Sequence, residues 1–409
     1  MASERRDNQG RQPEKISCAR RAAFRILMQV EGGAHSTDLL WSQAGALERR
    51  DAALVSELVL GCLRRQAQLD YLIATLAGRH SANMDPEVRL ALRLGIYQLR
   101  YLERVPAHAA VNESVELVRH ARKSSAAGLV NAVLRKARRA FVPWPDEATA
   151  LSMPPWLLDK WRRDFGAEIA RRIAETFLHA PEQFARVPPG KEPEAIALGL
   201  RPTEVQGCYL VPAGVRTSFR RQDISSQAVV PLLELAEGQR FLDLCAAPGN
   251  KTAQAMETEI LAFACDRQLR RLREITLSGC RRVALDATRP LPFRQAFDRV
   301  LVDAPCTGTG TLGRNPEIRW RIQPEELARQ QARQCEILRN ALDALAPGGR
   351  LVYSTCSLER EENEEVVNRV IGQSKQRLAV ERSWRRLPGF ARGDGFYAAV
   401  ITSEEPTTG

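Results

Sequence analysis

Two cysteines of this sequence stand where a thiol could do chemistry. Cys306 in VDAPCTGTG and Cys356 in VYSTCSLEREENE each follow a run of β-forming residues that ends just before them. The thiolate is the nucleophilic form of cysteine, and its ordinary pKa of about 8.5 is lowered at the N-terminus of a helix. We expect a helix to begin directly after Cys356, with its acidic run facing away from the thiol. Both cysteines are candidate reactive groups.

The other cysteines lack this placement. A cysteine is usually a small buried apolar residue, and we expect this of Cys18, Cys62, Cys208, Cys265, Cys280 and Cys335. Nine cysteines without a CxxC pair favour reduced thiols over a disulfide framework or a zinc site, so no metal is expected. All five histidines precede residue 180, which leaves the C-terminal half without a histidine relay or a histidine-ligated metal of its own.

Aspartates, like the two candidate cysteines, stand at the ends of runs of β-forming residues. Short β-forming runs alternate with helical segments after residue 235, at 240–244, 260–266, 281–286, 297–303, 349–355 and 395–401. This alternation predicts a mainly parallel sheet covered by helices. Four of these runs carry an aspartate at or near the end, namely Asp243, Asp266, Asp286 and Asp303. One such aspartate is often only a turn former, but ligands bind beyond the carboxyl ends of parallel strands. We expect the four carboxylates and Cys356 to line one crevice.

The first strand runs into DLCAAPGNKT at 243–252, a loop suited to a nucleoside cofactor. Its small residues and its proline, which allow a ligand close to the backbone, are Ala246, Ala247, Pro248 and Gly249. The loop matches neither the phosphate-binding P-loop nor GxGxxG, so neither a nucleoside triphosphate nor a dinucleotide is favoured. Asp266 is placed to accept hydrogen bonds from ribose hydroxyls. A nucleoside without a polyphosphate indicates S-adenosylmethionine. The short span from Lys251 to Asp266 predicts a short helix between the first two strands.

The front of the chain is helical and basic. Apolar residues recur at helical spacing from Ile16 onward, which predicts an all-helical domain at 15–141, after a disordered tail at 1–14. A connector at 142–215 would lead to a catalytic domain at 216–405. Residues 1–140 carry +9 of the net charge of +11. The basic cluster at 135–139 is either a solvated helix end or a phosphate-binding face. No apolar run reaches the roughly 18 residues of a membrane span, and a cytoplasmic location is expected.

Four motifs together resemble the NOL/NOP/Sun class of RNA cytosine-C5 methyltransferases: DLCAAPGNKT, VDAPCTGTG, NPEIRW and YSTCSLEREENE. The helical stretch AVNESVELVRHARKSSAAGLVNAVLRK at 110–136 resembles the NusB-like RNA-binding domain that precedes the catalytic domain in the RsmB (Sun/Fmu) family. The resemblance covers most of residues 15–402. It implies an α/β, Rossmann-like, S-adenosylmethionine-dependent methyltransferase domain behind a NusB-like bundle, acting on small-subunit (16S) ribosomal RNA. We expect the protein to be a monomer.

The resemblance also implies residue roles. Because C5 of cytosine is a poor nucleophile, Cys356 would first add to C6, and Cys306 would assist its release. Asp303 would contact the cytosine edge, and Lys251 would lie at the edge of the active site. The implied cofactor-binding residues are Cys245, Ala246, Ala247, Pro248, Gly249, Asn250, Lys251, Asp266, Asp286 and Asp303, with Cys245 contributing its backbone. Asn250 stands where most relatives carry glycine, and since asparagine tolerates positive φ, we expect the turn to persist.

Three kinds of function compete. The first is a cytosine-C5 methyltransferase of small-subunit ribosomal RNA, or of another RNA. The second is an RNA-binding or transcription-associated factor with an inactive methyltransferase domain, against which the intact cysteine pair, Asp303 and Lys251 argue. The third is a methyltransferase acting on DNA or protein. Cytosine-C5 enzymes acting on DNA resemble the Pro-Cys pattern alone, so the presence of both Cys306 and Cys356 favours RNA.

Overall fold

A computed structural model of the protein describes residues 16–45 and 47–403. The chain forms two compact units, of which the first ends at Asp159 and also includes Arg314–Glu317. The second comprises Lys160–Gly313 and the chain from Ile318 onward. The tail expected at 1–14 lies outside the described residues. The boundary at Asp159 falls inside the expected connector, whose status as a separate domain stays a prediction.

The first unit is a bundle of helices, as its periodicity predicts. The helices that begin in this unit are α1 Cys18–Glu31, α2 Ser36–Leu39, α3 Arg49–Arg64, α4 Gln66–Ala77, α5 Pro86–Tyr101, α6 Ala107–His120, α7 Ala127–Ala137, α8 Glu147–Ala150 and α9 Pro155–Phe165. Their apolar stripes meet in one core, in which Ile26, Leu58 and Leu94 are fully buried. Burial of these stripes, rather than helix propensity, holds such a bundle together.

The second unit opens with a small antiparallel sheet that the sequence did not predict. Helix α10 Ala167–Thr176 is followed by β1 Phe184–Arg186, α11 Glu192–Ala197, β2 Arg201–Pro202, β3 Cys208–Leu210, β4 Arg220–Arg221 and α12 Ile224–Gln227. The strand order is β2-β3-β1-β4. Because strands of two or three residues are too short to show an alternating pattern, nothing in the sequence distinguished them from loop.

A seven-stranded sheet forms the centre of the second unit, in the order β10-β11-β9-β8-β5-β6-β7. Its strands are β5 Arg240–Asp243, β6 Leu261–Asp266, β7 Arg281–Ala284, β8 Phe297–Asp303, β9 Leu345–Thr355, β10 Leu378–Arg386 and β11 Phe396–Ser403. The accompanying helices are α13 Asn250–Ala255, α14 Leu269–Arg273, α15 Ile318–Arg321, α16 Pro324–Ala344 and α17 Glu364–Gln373. All six predicted runs form strands. The polar edge strand β10 was missed because it lacks an apolar run.

The order of the strands indicates where a ligand would bind to the sheet. Strands β5 to β9 are parallel, and β11 and β10 continue the sheet antiparallel. From β5 the sheet grows in one direction through β6 and β7, and in the other through β8 and β9. This reversal is a topological switch point, where ligands bind beyond the carboxyl strand ends.

Among the described residues, no helix combines the length and apolar character needed to cross a membrane.

Candidate active site

A cavity of about 380 Å³ opens beyond the carboxyl ends of the parallel strands. The predicted site residues that line it are Cys245, Ala247, Asp266, Asp286, Asp303, Cys306 and Cys356. The predicted residues that lie outside its lining are Ala246, Pro248, Gly249, Asn250 and Lys251. The structure therefore brings both cysteines and three of the four strand-end carboxylates to one cavity.

Asp243 does not line this crevice, contrary to the prediction. The residue is 1% exposed, and the Thr252 hydroxyl donates a hydrogen bond to its Oδ2 at 2.7 Å. Burial raises the pKa of Asp243 to about 7. Because Thr252 lies in α13, this hydrogen bond ties the end of β5 to the following helix and supports the loop between them.

The loop after β5 takes its left-handed conformation at Gly249, where φ is +95°. A Cβ at this position would lie 3.0 Å from Cγ1 of Ile275, so the site favours glycine for both backbone and space. Asn250 is the first residue of α13 and has no positive φ, so asparagine at this position does not strain the turn. The short helix expected before Asp266 is confirmed.

Two carboxylates reach the cavity from the ends of β6 and β7. Asp266 accepts hydrogen bonds from the backbone N–H groups of Ala247 at 3.3 Å and Gln268 at 2.8 Å. Asp286 accepts hydrogen bonds from the Thr288 hydroxyl at 2.8 Å and from the Thr288 N–H at 3.1 Å, which lower the pKa of Asp286. Carboxylate oxygens so placed suit the ribose hydroxyls and the amino group of an adenosine.

Arginines that belong to none of the sequence motifs also line this cavity. Arg267, Arg271 and Arg333 belong to its wall, and Arg271 donates a hydrogen bond to the carbonyl of Ala247 at 3.2 Å. Positive and negative side chains together suit S-adenosylmethionine, which carries a carboxylate as well as cationic groups. The signal for Arg267 was its position directly after Asp266, whereas helical arginines such as Arg333 are too common to stand out.

Lys251 and Asp303 form an ion pair beside the cavity. The distance from Lys251 Nζ to Asp303 Oδ2 is 2.6 Å, and the Ser354 hydroxyl donates to Asp303 Oδ1 at 2.9 Å. Lys251 is 8% exposed. The carboxylate of Asp303 is therefore held in one orientation by two donors. The sequence placed both residues in the site but gave no sign that they pair, because they are far apart in the chain.

The two candidate cysteines face each other, with their Sγ atoms 3.4 Å apart. Their hydrogen bond raises the pKa of Cys306 well above its ordinary value, and burial of Cys306 adds to the rise. Cys306 is thus kept as a neutral thiol that can donate a hydrogen bond to the sulfur of Cys356.

Hydrogen bonds hold the two cysteine loops together. The N–H of Gly310 donates to the carbonyl of Cys356 at 2.9 Å. The N–H of Thr307 donates at 2.9 Å to Oε1 of Glu362, which also accepts a hydrogen bond from Gln334 at 3.0 Å. A Cβ on Gly310 would lie 2.2 Å from the Gly395 carbonyl oxygen, so these backbones approach too closely for a side chain.

The acidic run after Cys356 differs from the prediction. Helix α17 begins only at Glu364, so Cys356 does not lie at a helix N-terminus. Glu359 and Glu362 are fully buried instead of facing outward. Burial raises the pKa of both carboxyl groups, that of Glu359 to about 7. Charged residues in sequence normally indicate a surface, but here they serve as internal hydrogen-bond acceptors.

Glu359 has its partners in helix α9. The indole N–H of Trp161 donates to its Oε1 at 3.0 Å, and Lys160 Nζ lies 3.5 Å from its Oε2. Lys160 Nζ also lies 2.7 Å from Asp164 and 2.9 Å from Glu361, so an ammonium group lies among three carboxylates. No local pattern in the sequence signals this cluster, because α9 and the Cys356 loop are about two hundred residues apart.

Exposure of the remaining cysteines follows the prediction with two exceptions. Cys62, Cys208, Cys265 and Cys335 are buried. Cys18 is exposed and Cys280 is half-buried. Cys18 begins α1, where the first turn has fewer neighbours than the helix interior, and Cys280 lies in the loop before β7.

Both parts of the chain match known protein families. Residues 230–402 match the model of the 16S rRNA methyltransferase RsmB/F family, and residues 17–139 match the NusB family. Ribosomal RNA small subunit methyltransferase B of Thermus thermophilus is 38% identical, over 92% of this chain and 93% of its own. Its counterpart described as probable in Bacillus subtilis is 32% identical, over 87% and 89%. The crystal structure of PH0851 has a TM-score of 0.80 at 21% identity, covering 96% of this chain and all of that one.

The parallel sheet, the cavity at its carboxyl edge and these matches define an S-adenosylmethionine-dependent methyltransferase with a Rossmann-like domain and a NusB-family helical domain. The identity to curated relatives extends over nearly the whole chain. The chain belongs to the RsmB/F family of 16S rRNA methyltransferases.

Proposed function

We propose that this protein transfers a methyl group from S-adenosylmethionine to C5 of a cytosine in small-subunit ribosomal RNA, through a covalent adduct with Cys356. The observation that carries the proposal is the pair of thiols 3.4 Å apart on the wall of the cofactor cavity, next to Asp303. Binding alone would require neither two adjacent thiols nor a buried lysine on the neighbouring carboxylate. The names of the relatives support ribosomal RNA as the substrate.

Cys356 would provide the activation that cytosine requires. Addition of its thiolate to C6 forms an S–C bond and moves an electron pair to C5, which becomes nucleophilic. S-adenosylmethionine supplies the methyl group from its sulfonium and leaves as S-adenosylhomocysteine. Solvent water acting as the base would then take the C5 proton, the electron pair of that C–H bond would form the C5–C6 double bond, and the bond between Cys356 and C6 would break with its pair returning to sulfur as the thiolate, which releases 5-methylcytosine.

Cys306 would assist this last step. Because the pKa of Cys306 is raised, it remains a neutral thiol while Cys356 changes from thiolate to thioether and back. Its S–H can donate a hydrogen bond to the departing sulfur, which stabilises the negative charge that develops there. This role needs the two sulfur atoms close together, as they are at 3.4 Å.

Asp303 would orient the base. Its carboxylate can accept a hydrogen bond from the exocyclic amine of cytosine, an amine that uracil lacks. Lys251 and Ser354 fix the carboxylate from the other side, so little reorganisation is needed when the base binds. All groups in this scheme come from one chain, and we propose a monomer that works without a metal.

Mapping of 5-methylcytosine tests the proposal directly. Purified protein and labelled S-adenosylmethionine are incubated separately with 16S RNA, other RNA, DNA and protein, and the modified base is identified by digestion. The expected result is label at C5 of cytosine in 16S RNA that disappears with Cys356→Ala. Label in DNA or protein, or RNA binding without any label, would instead favour one of the competing functions.

A further inference from the structure

The backbone on either side of Cys306 is bound by one buried pair of side chains, Gln334 and Glu362. The Gln334 amide, in α16, donates through Nε2 to the carbonyl of Pro305 at 2.9 Å and to Oε1 of Glu362 at 3.0 Å. The same Oε1 accepts a hydrogen bond from the N–H of Thr307 at 2.9 Å. The carbonyl of the residue before Cys306 and the N–H of the residue after it are therefore both fixed by this Gln334–Glu362 pair.

The Gln334–Glu362 pair also reaches the loop that carries Cys356. The Thr307 hydroxyl donates to Oε2 of Glu362, so it is free to accept a hydrogen bond from the Ser357 hydroxyl, which lies 3.2 Å away. Ser357 directly follows Cys356 in the chain. One hydrogen-bonded network therefore joins α16 to both cysteine loops, whose sulfur atoms lie 3.4 Å apart.

Packing alone does not explain why these two polar side chains lie inside the protein. Gln334 and Glu362 are fully buried, and burial raises the pKa of the Glu362 carboxyl group. Their neighbours in α16 include the buried apolar residues Cys335 and Leu338. Burial of polar groups is costly, and an apolar pair of similar volume often gives equal or greater stability. What a hydrogen-bonded pair adds is one defined arrangement of the backbone groups that it binds.

Neither member of the Gln334–Glu362 pair belongs to the described wall of the cofactor cavity, whereas Cys306 and Cys356 do. We propose that Gln334 and Glu362 are positioning residues for the release step, which hold the thiol of Cys306 against the sulfur of Cys356. Addition to the base needs only Cys356, but release also needs the hydrogen bond from Cys306. A loosened Cys306 loop should therefore slow release more than addition. This inference rests on the proposed function, in which Cys306 assists the release of Cys356.

Gln334→Met tests the inference in the full-length protein. Methionine has a similar length and no donor, so the variant removes both hydrogen bonds and largely keeps the volume. Gln331→Met is the matched control in the same helix. Gln331 is 8% exposed, and its Nε2 donates at 2.9 Å to the Glu361 carbonyl and at 2.9 Å to Oε2 of Glu365. Neither of these acceptors adjoins Cys306 in the chain.

Addition and release are measured separately with 16S RNA and S-adenosylmethionine. Denaturing electrophoresis of samples quenched at short times gives the covalent protein–RNA adduct, and free methylated RNA gives the rate of release. Since a displacement of about 1 Å at a reacting group can cost about 100-fold, Gln334→Met should slow release roughly tenfold or more and change addition little. Adduct should then accumulate, as in Cys306→Ala. Gln331→Met should accumulate no more adduct than the wild type.

Glu362→Gln provides a second test of the pair if Gln334→Met does not fold, which circular dichroism establishes. Glutamine keeps the size and one oxygen acceptor of Glu362, but its amide nitrogen replaces the other oxygen and cannot accept. We expect accumulation of adduct to a smaller extent than in Gln334→Met. A general loss of folded protein would instead lower addition and release together. Adduct at the wild-type level in a folded variant of the pair, or equal accumulation in Gln331→Met, would overturn the inference.

The same measurements separate failure of this inference from failure of the proposed function. If Cys306→Ala accumulates adduct and neither Gln334→Met nor Glu362→Gln does, only the positioning role is wrong. If the wild-type protein produces no 5-methylcytosine in 16S RNA, the proposed function is wrong, and the positioning role falls with it.

Discussion

The sulfur atoms of Cys306 and Cys356 lie 3.4 Å apart because β8 and β9 are adjacent parallel strands. Cys356 directly follows β9, and Cys306 follows β8 after two residues. Strand spacing of about 4.8 Å brings the two loops within side-chain reach of each other. The hydrogen bond between the thiols raises the pKa of Cys306. The pairing of β8 with β9 thus supplies the proximity of the two thiols that the proposed reaction needs.

Replacement of Cys356 by alanine should abolish methyl transfer without weakening cofactor binding. The side chain provides the only proposed activation of C5, whereas Asp266 and Asp286 are left intact. We expect a loss of at least about three decades of rate, which corresponds to roughly 4 kcal/mol of activation free energy. Single-turnover methylation and isothermal titration with S-adenosylmethionine measure the two quantities. More than a tenth of the wild-type rate would exclude Cys356 as the nucleophile.

Replacement of Cys306 by alanine should allow addition of Cys356 but slow its release. A covalent protein–RNA adduct should then accumulate and survive denaturing electrophoresis. The double variant Cys306→Ala, Cys356→Ala provides the control, since it lacks the sulfur that forms the adduct. An adduct that persists in the double variant would show that another residue attacks the base.

Gly310→Ala should disturb the cysteine pair through the backbone. Its Cβ would lie 2.2 Å from the Gly395 carbonyl oxygen and 2.7 Å from that of Cys356, so a loop must move. Overpacking of this kind costs about 1–3 kcal/mol of stability, and a displacement of about 1 Å at a reacting group can cost about 100-fold in rate. Urea unfolding and single-turnover methylation measure both effects.

Gly372→Ala is the matched control for this substitution. Gly372 lies in α17. Apart from its chain neighbours and the nearby backbone of its own helix, no heavy atom lies within 4 Å of a Cβ added there. Alanine there should leave the rate unchanged and stabilise the helix by up to about 1 kcal/mol. If Gly310→Ala behaved like Gly372→Ala, close packing of the two cysteine loops would not be needed for catalysis.

Individual residues show which parts of the fold and of the site can be predicted from the sequence. The strand runs and their terminal residues were predictable because alternation of β-forming and helical segments is a local signal, and it placed Cys306, Cys356 and Asp303 at one edge. The pairing of Lys251 with Asp303 could not be predicted, because it depends on the order of the strands in the sheet and not on neighbours in sequence. Burial of Glu359 was missed for the same reason: its partner Trp161 lies in a distant helix.

The buried carboxyl group of Glu359 should make stability depend on pH. Its pKa is about 7 in the folded protein and about 4.5 when unfolded, and burial is the main cause of the rise. A group that binds its proton more tightly when folded stabilises the fold at low pH, and this stability is lost as pH rises towards 7. Between pH 5 and pH 7 the contribution should fall by about 2 kcal/mol.

Glu359→Gln should therefore flatten the pH dependence of unfolding. Glutamine still offers an oxygen acceptor to Trp161 but cannot ionise, so the free energy of unfolding should decline by about 2 kcal/mol less between pH 5 and pH 7 than in the wild type. Glu361→Gln serves as the control, because it also removes a carboxylate from Lys160, but from a side chain that is 31% exposed. Urea unfolding at a series of pH values measures the slopes. A wild-type slope in Glu359→Gln, or an equally flattened one in Glu361→Gln, would contradict a raised pKa at Glu359.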